Sequence, residues 1–367
     1  MSQLTGHPLT ALSLDDAMKL QWRLVDLIHT HFDGHSILEA GDRGVVPGLG
    51  RPRATARVEE VLADFFGAEA AALVRGAGTG AIRVALQAAR SAGNRILVHR
   101  APIYPTTKVT LEAMQLVVVE ADFHDLEELK RAAGQADLAL VQHTRQRIAD
   151  RYDLGDVIAA IRSAAPNLPI ITDDNYAVLK APKIGVQLGA TASTFSLFKL
   201  LGPEGIGCVA GQSAFIERIR KDAYSGGLQV QGPEAMDALR GLVYAPVALA
   251  MQAQVVQEVV DRLNAGEVPG VAEATVANAQ SRVALVRLEE PVADRVLAAA
   301  PRFGAAPYPV GAESRYEVAA MFYRPSGTVR ADRPDLAPYL LRINPMRAGT
   351  DTVIRVLRLA LSDINKS

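Results

Sequence analysis

Cysteine is almost missing from this chain. Cys208 is the only one in 367 residues, so no intrachain disulfide can form and the fold must hold by packing. Such usage suits a reducing compartment, and a cytoplasmic location is expected. An excess of either charge is missing too: 39 Lys and Arg face 40 Asp and Glu, for a net charge of −1. A nucleic-acid grip or a membrane-surface role calls for a basic face, so neither partner is expected. No run of about twenty apolar residues reads as a membrane span. The start of the chain has no charged segment leading into an apolar one, so no signal peptide is expected. Fixed-period repeats and low-complexity tracts are absent. No group of His, Cys, Asp or Glu has metal-ligand spacing, and no metal is expected.

What is present reads as a soluble globular composition, 49% hydrophobic and 22% charged. The length suggests a large domain with a smaller one. An N-terminal helix and loop over 1–50 are expected to touch a partner subunit, with an ordinary core contact of the helix an equal alternative. A large α/β domain would follow over 51–263 and a smaller α/β domain over 264–367. Ser13 can cap the first helix, with an apolar stripe through Ala17, Leu20, Leu24, Leu27 and Ile28. The Gly- and Pro-rich segment 41–53 reads as an ordered loop. Its Arg51 and Arg53 could meet an anion or stand as a solvated pair. Thr55 can cap a second helix and Ser213 a later one.

Strands and helices then alternate. Short apolar runs at 71–74, 95–98, 116–119, 138–141 and 169–172 read as buried strands, with helices at 126–133 and 154–163 between them. Continuous apolar strands with helical crossovers predict a mostly parallel sheet covered on both faces. A long helix is expected over 233–263, a hinge at 266–270, strands within 316–322 and 339–343, and a closing helix over 351–364.

In such sheets ligands bind where strands end, and chemistry-bearing residues sit there. Gly78-Thr79-Gly80 lies between the first strand and a helix expected from Ile82. Bare backbone N–H groups at a helix start favour a phosphate. The stretch also fits G-x-G-x-x-A, a weak dinucleotide fingerprint. About twenty residues on, however, where that fingerprint expects an acid, stands Arg100-Ala101-Pro102. Tyr104 follows the second strand and could stack on a flat ring; alone, it is more often packed in a loop. Gln142-His143-Thr144-Arg145 follows the fourth strand and can face the crevice, though a lone His such as His143 is more often structural. Thr172-Asp173-Asp174-Asn175-Tyr176 ends the fifth. Two adjacent acids there are costly unless paired or functional. Neighbours on a strand face opposite ways, so one serves the site. Asp173 is favoured, with Tyr176 three residues on, and Asp174 stays the alternative.

Lys199 stands in the small, hydroxyl-bearing stretch 193–207, with Ser196 three residues before it and Gly-Pro-Glu-Gly just after. Such surroundings lower a lysine's pKa, and a neutral amine can attack a carbonyl. A plain surface lysine beside a turn is equally common. Arg342, in the apolar run 340–343, is suited to a carboxylate or to a structural ion pair.

Taken in order, these stations resemble the fold type I pyridoxal 5′-phosphate (PLP) enzymes, the aspartate-aminotransferase-like superfamily, over about residues 40–365. The resemblance implies that Lys199 forms the cofactor's Schiff base and moves the Cα proton. It implies that Gly78, Thr79, Gly80 and Ser196 hold the phosphate, Tyr104 covers the ring, Asp173 meets the ring nitrogen and Arg342 anchors an amino-acid substrate. Gln142 and Tyr176 would complete the cofactor site. A homodimer is implied as well. The Phe198–Gly207 stretch is similar to that of the selenocysteine synthase (SelA-like) group. The Gly-Thr and Tyr-x-x-Thr stations are similar to the cystathionine and methionine lyases. The whole chain most resembles the YhfS-like aminotransferases. No Asn-Pro-x-x-Pro-Thr-Gly stretch of the class I aminotransferases is present; Gln142–Arg145 stands in its place. An aminotransferase is the leading expectation, with a β- or γ-elimination lyase or a SelA-like transferase behind it. Rivals of another class are a nicotinamide-dependent Rossmann enzyme and a non-catalytic protein of the same fold. The Gly-rich stretch 225–232 could reach a neighbour's site or be a surface turn.

Overall fold

The computed structural model describes residues 4–224, 227–277, 282–309 and 313–364. Ser225 and Gly226 of the Gly-rich stretch lie outside them.

The chain opens with α1 (Leu14–His31), capped as expected by Ser13, whose side chain accepts the Asp16 N–H at 3.0 Å. Next come α2 (Arg53–Phe66), β1 (Ala70–Arg75), α3 (Ala77–Ala89), β2 (Arg95–His99), α4 (Pro105–Ala113) and β3 (Val117–Ala121). They are followed by α5 (Leu126–Ala133), β4 (Leu138–Gln142), α6 (Leu154–Ala164), β5 (Ile170–Asp173), β6 (Ala192–Ser196), β7 (Ile206–Gly211) and α7 (Ser213–Asp222). The long α8 (Gly232–Asn264) leads to β8 (Val271–Val276), β9 (Ala284–Leu288), α9 (Ala293–Ala299), β10 (Met321–Tyr323), α10 (Gly327–Asp332), β11 (Leu340–Asn344) and α11 (Thr350–Ile364).

Two sheets result, one of seven strands in the order β1-β7-β6-β5-β4-β2-β3 and one of four in the order β10-β11-β9-β8. In the large sheet β3, β2, β4, β5 and β6 run parallel, while β7 is antiparallel to both neighbours. Alternate residues of its strands enter different cores. Leu73, Phe195 and Cys208 pack with α2 and α8, and Val74, Ala192 and Val209 with α3 and α7. Burial on both faces explains why β1 and β7 are apolar over almost their whole length.

By length and composition alone α8 could cross a membrane. Its apolar residues are instead shared between two cores, Leu239, Leu242 and Leu249 in one and Val256, Val259 and Leu263 in the other. The sequence reading passed over this helix as a candidate span; its burial is what marks it as a core helix.

Several expected details differ. Thr55 does not cap α2. The Asp42 carboxylate does, accepting the N–H groups of Arg53 (2.8 Å) and Ala54 (2.9 Å), while Thr55 donates to the Val230 carbonyl. Ser213 is the first residue of α7, not its cap, and gives its N–H to Glu69. The strand expected over 316–322 shrinks to β10, because Ser314 and Glu317 bond to each other and fold that segment into a turn. Helix α3 starts five residues before Ile82, so the glycines form its first turn.

Candidate active site

Three parallel strands end side by side. β4 finishes at Gln142, which pairs with Asp173 at the end of β5, and Asp173 pairs in turn with Thr194 near the end of β6. The first turn of α3 faces this edge. Between them lies a cavity of about 250 Å³ bordered by Gly78, Thr79, Tyr104, Gln142, Asp173, Tyr176, Ser196 and Lys199. Eight of the ten residues singled out in the sequence therefore meet in one place. Gly80 and Arg342 lie elsewhere.

Lys199 follows β6 in a single 3₁₀ turn, Phe198–Leu200. Its Nζ sits over the Tyr176 ring, 3.6 Å from the centroid. Burial disfavours the ammonium and pulls its pKa below the usual lysine range, against the opposing pull of Asp173, Tyr104 and Glu313. Tyr176 has a backbone φ of 65°, uncommon for a bulky residue and a mark of local constraint. Burial pushes its phenol well above the ordinary range.

The two adjacent acids have separate fates. Asp174 is fully buried away from the cavity. Its carboxylate takes the Thr172 hydroxyl at 2.5 Å, lies 2.7 Å from His143 Nδ1 and accepts the Gly185 N–H. His143 is thus the structural histidine its isolation suggested. Asp173 borders the cavity, and burial raises its pKa, opposed by Asn175 and Lys199.

Asn175 escaped the sequence reading. Its Nδ2 donates to Asp173 Oδ1 at 2.8 Å, and its Oδ1 accepts the Ser196 N–H at 3.0 Å. It ties the ends of β5 and β6 together. A Cβ at position 78 would lie 2.2 Å from Asn175 Oδ1, so Gly78 is needed for this close approach. Gly80 has another reason. A Cβ there would stand 1.9 Å from the Arg75 carbonyl, in the tight turn from β1 into α3. The only signal for Asn175 was its place directly after the acid pair.

The same turn removes the dinucleotide reading. Among the described residues β1 is an edge strand that pairs with the antiparallel β7, whereas the fingerprint belongs to a parallel βαβ unit.

Ser196 bears on whether a phosphate fits here. Its Oγ is buried and has no hydrogen-bond partner among the described residues. A buried polar atom without a partner is uncommon in native structures. Close by, the first N–H groups of α3 have no acceptor within their own helix, and Gly78 and Thr79 border the cavity. An orphaned hydroxyl beside a helix start is a setting for a phosphate group.

Comparison with known proteins gives the family. Residues 34–239 match the aminotransferase class I and II family, and residues 257–357 match the YhfS-like C-terminal domain. The chain is 52% identical to the uncharacterised YhfS of Escherichia coli, covering 97% of this chain and 99% of that protein. The chain is a YhfS-like member of the class I and II aminotransferase family. The crystal structure of E. coli YhfS, described as pyridoxal-5′-phosphate dependent, superimposes with a TM-score of 0.95 at 52% identity, covering 98% of this chain and 99% of that one. Two more distant structures share the fold. Cystathionine gamma synthase of Xanthomonas oryzae pv. oryzae gives a TM-score of 0.74 at 16% identity, covering 95% and 98%. A methionine gamma lyase of Micromonospora echinospora gives 0.68 at 17%, covering 85% and 87%.

In this YhfS-like chain, Tyr104 belongs to two spaces. It borders the cavity above and also a larger one of about 760 Å³ that reaches into the small sheet. Arg342 lines the larger one from the middle of β11, not its end. Its guanidinium lies 3.9 Å from the centre of the Tyr323 ring. Burial pushes the Tyr323 phenol up to about 12, against the pull of Arg342. Gln142, the last residue of β4 rather than the first after it, and Thr144 border the cavity. Arg145 does not, because its guanidinium donates to the carbonyls of His7 and Tyr152. Arg51 pairs with the buried Glu59 at 2.8 Å.

The fold also gathers His99, His124 and Asp150, which sequence spacing could not reveal. Their ring nitrogens are committed. His99 accepts the Phe123 N–H and faces Asp150, and His124 accepts the Arg151 N–H and faces Asp122. The lone pairs a metal would need are in use.

Proposed function

We propose that this YhfS-like chain is a pyridoxal-phosphate-dependent aminotransferase acting on an amino acid. The reading rests on one convergence: Lys199 Nζ, Asp173, the orphaned Ser196 Oγ and the first turn of α3 border one cavity. A lysine with a lowered pKa, a buried carboxylate and an anion cradle suit the aldehyde, ring nitrogen and phosphate of that cofactor.

When bound, pyridoxal phosphate supplies an electron sink that stabilises negative charge on a substrate's Cα. The chain's residues do the rest. Lys199 Nζ would hold the cofactor through its aldehyde and, once free, would take the Cα proton and return it. Burial keeps that nitrogen readily neutral. The Asp173 carboxylate, oriented by Asn175, would accept a hydrogen bond from the ring nitrogen and keep it protonated. The N–H groups of Gly78 and Thr79 and the Ser196 hydroxyl hold the phosphate, while Gly80 shapes the turn. Tyr104 covers the ring, with Gln142 and Tyr176 bordering it. Arg342 anchors the α-carboxylate with its planar fork of donors. The reading includes a cytoplasmic homodimer, checked by sedimentation and fractionation.

Elimination is the second reading. It is favoured by Tyr104, whose phenol acts electrostatically on Lys199 at the cavity edge and could protonate a leaving group.

The test starts with an absorbance spectrum of purified protein with and without added cofactor, beside Lys199→Ala. A visible band that borohydride abolishes and the variant lacks is expected. No band in either protein overturns the reading. Amino acids are then supplied without a keto-acid acceptor. An aminotransferase yields at most one keto acid per site and no ammonia, and turns over only once an acceptor is added. Continuous release of ammonia selects elimination.

A further inference from the structure

The turn that follows β5 is costly to build. Tyr176 and Leu179 both adopt left-handed backbone, with φ of 65° and 60°, which bulky residues rarely do unless the surroundings impose it. At its start the Asp174 carbonyl accepts the Ala177 N–H at 2.9 Å. At its end Lys180 is buried in its pair with Glu313, and its carbonyl accepts the Leu12 N–H at 2.8 Å. What the turn fixes is one ring. Tyr176 borders the cavity it shares with Lys199 and, separately, a small space lined by Lys180. Lys199 Nζ lies over its face, 3.6 Å from the centroid, and Lys180 Nζ lies 5.6 Å from the same point. A cation within about 6 Å of an aromatic face is attracted by the ring's quadrupole, more strongly where water is excluded. Glu313 answers the charge of Lys180. Lys199 forms no ion pair among the described residues; Asp173 at the end of β5, Tyr104 before α4, Glu313 before β10 and Lys180 act on it through space. An aromatic face attracts the ammonium and does little for the neutral amine. It therefore strengthens a base without a carboxylate partner that would keep the amine charged.

We propose that Tyr176 is a positioning residue for proton transfer: its ring face holds the free Lys199 amine in place and steadies the ammonium that forms there. In that step the substrate's Cα–H bond breaks, its electron pair stays on the substrate, and Nζ passes from amine to ammonium; the reverse step gives the proton back. This rests on the reading of Lys199 as the base of a pyridoxal-phosphate enzyme. The strained turn and the Lys180–Glu313 pair then have a use, since they hold the ring beneath Nζ. The phenol hydroxyl has no part in it.

The experiment reads the amine first without the reaction. The pH dependence of Lys199 acetylation by acetic anhydride is followed by mass spectrometry in cofactor-free protein. Tyr176→Phe should titrate as the parent does. Tyr176→Leu should titrate about one unit lower, the scale of a desolvated contact between a cation and a ring. A ring-trifluorinated phenylalanine at the same position keeps the shape of Phe but weakens the quadrupole, and should also titrate lower than Tyr176→Phe. That pair decides the matter if Tyr176→Leu does not fold. In loaded protein, with an amino acid that is turned over, the Leu and trifluorinated variants should lose about three- to tenfold in kcat with KM little changed. The isotope effect from Cα-deuterated substrate should rise in both, and Tyr176→Phe should restore the parent values. A titration that does not move with fluorination, or a Tyr176→Phe as low as Tyr176→Leu, overturns the proposal. A titration that follows the ring in a protein with no cofactor band overturns the cofactor reading and not the contact. A band with a titration that ignores the ring does the reverse.

Discussion

Ser196→Ala should act in opposite directions on the empty and the loaded protein. In the structure Ser196 Oγ is buried without a hydrogen-bond partner among the described residues. Leaving such a group unsatisfied costs about 1–3 kcal/mol. Deleting the hydroxyl from cofactor-free protein should therefore leave stability unchanged or raise it by up to that amount. In the loaded protein the same hydroxyl would meet a phosphate, and a hydrogen bond to a charged group is worth about 1.5–3 kcal/mol. Affinity for pyridoxal phosphate should then fall about 10- to 150-fold. Urea unfolding of cofactor-free protein reads the first effect, and titration of the visible band reads the second. The backbone N–H of Ser196 still reaches Asn175 in the variant, so the clasp is untouched. A loss of about 1 kcal/mol or more in the empty protein, with unchanged cofactor affinity, would refute the reasoning: the hydroxyl would then have a protein partner.

Three other substitutions probe the surroundings. Lys180→Ala removes one member of a buried ion pair with Glu313, which also accepts from Gln252 at 2.9 Å. Breaking such a pair costs about 3–5 kcal/mol, seen as a lower urea midpoint near neutral pH, and a loss below about 1 kcal/mol would sink the idea that the pair pins the small sheet to the segment after β5. Burial lowers the pKa of Lys180, so the unfolded chain holds that proton more tightly; its contribution to stability rises with pH between the lowered value and 10.5, a slope the variant should lack. Asp173→Asn takes away a charge that raises the Lys199 pKa. The pH midpoint for cofactor attachment should move down, and an upward shift would contradict the assigned proximity. Gly78→Ala drives a Cβ against Asn175, so cofactor affinity should drop with about 1–3 kcal/mol of stability; retained affinity would show that Asn175 can move freely.

How much of this was legible in the sequence depends on range. Strand ends declare themselves, because a buried strand is apolar until the residue that meets the ligand. Gln142 and Asp173 were readable for that reason, and Ser196 by its place three residues before Lys199. Lys199 was legible as a cation in a stretch with few other reasons to hold one. Hidden were contacts set by packing between distant segments. The need for glycine at 78 comes from Asn175, nearly a hundred residues on, and no local spacing encodes it. Local spacing found the Ser13 cap of α1, but two other caps failed for the same reason. Thr55 has the right residue type, yet Asp42 reaches the orphan N–H groups first. The grouping of His99, His124 and Asp150 likewise depends on how separate loops meet.

The acid pair shows where local reasoning stops and the fold decides. Alternation along a strand says that one of Asp173 and Asp174 faces the ligand, but not which. The choice falls to the layer behind the sheet. Thr172, His143 and the Gly185 N–H surround Asp174 and offer it every partner a buried carboxylate requires. Among the described residues, Asp173 has Asn175, which gives it two N–H groups, and the field of Lys199. A charge held by so few groups carries a desolvation cost that a protonated ring nitrogen would relieve. The physical argument and the sequence preference for the first acid thus converge on Asp173. Asp174→Asn tests them. It should lower stability by about 1–3 kcal/mol through the lost network while the pH dependence of cofactor attachment stays in place. A shift of that dependence as large as the one produced by Asp173→Asn would assign the ring nitrogen to Asp174 instead.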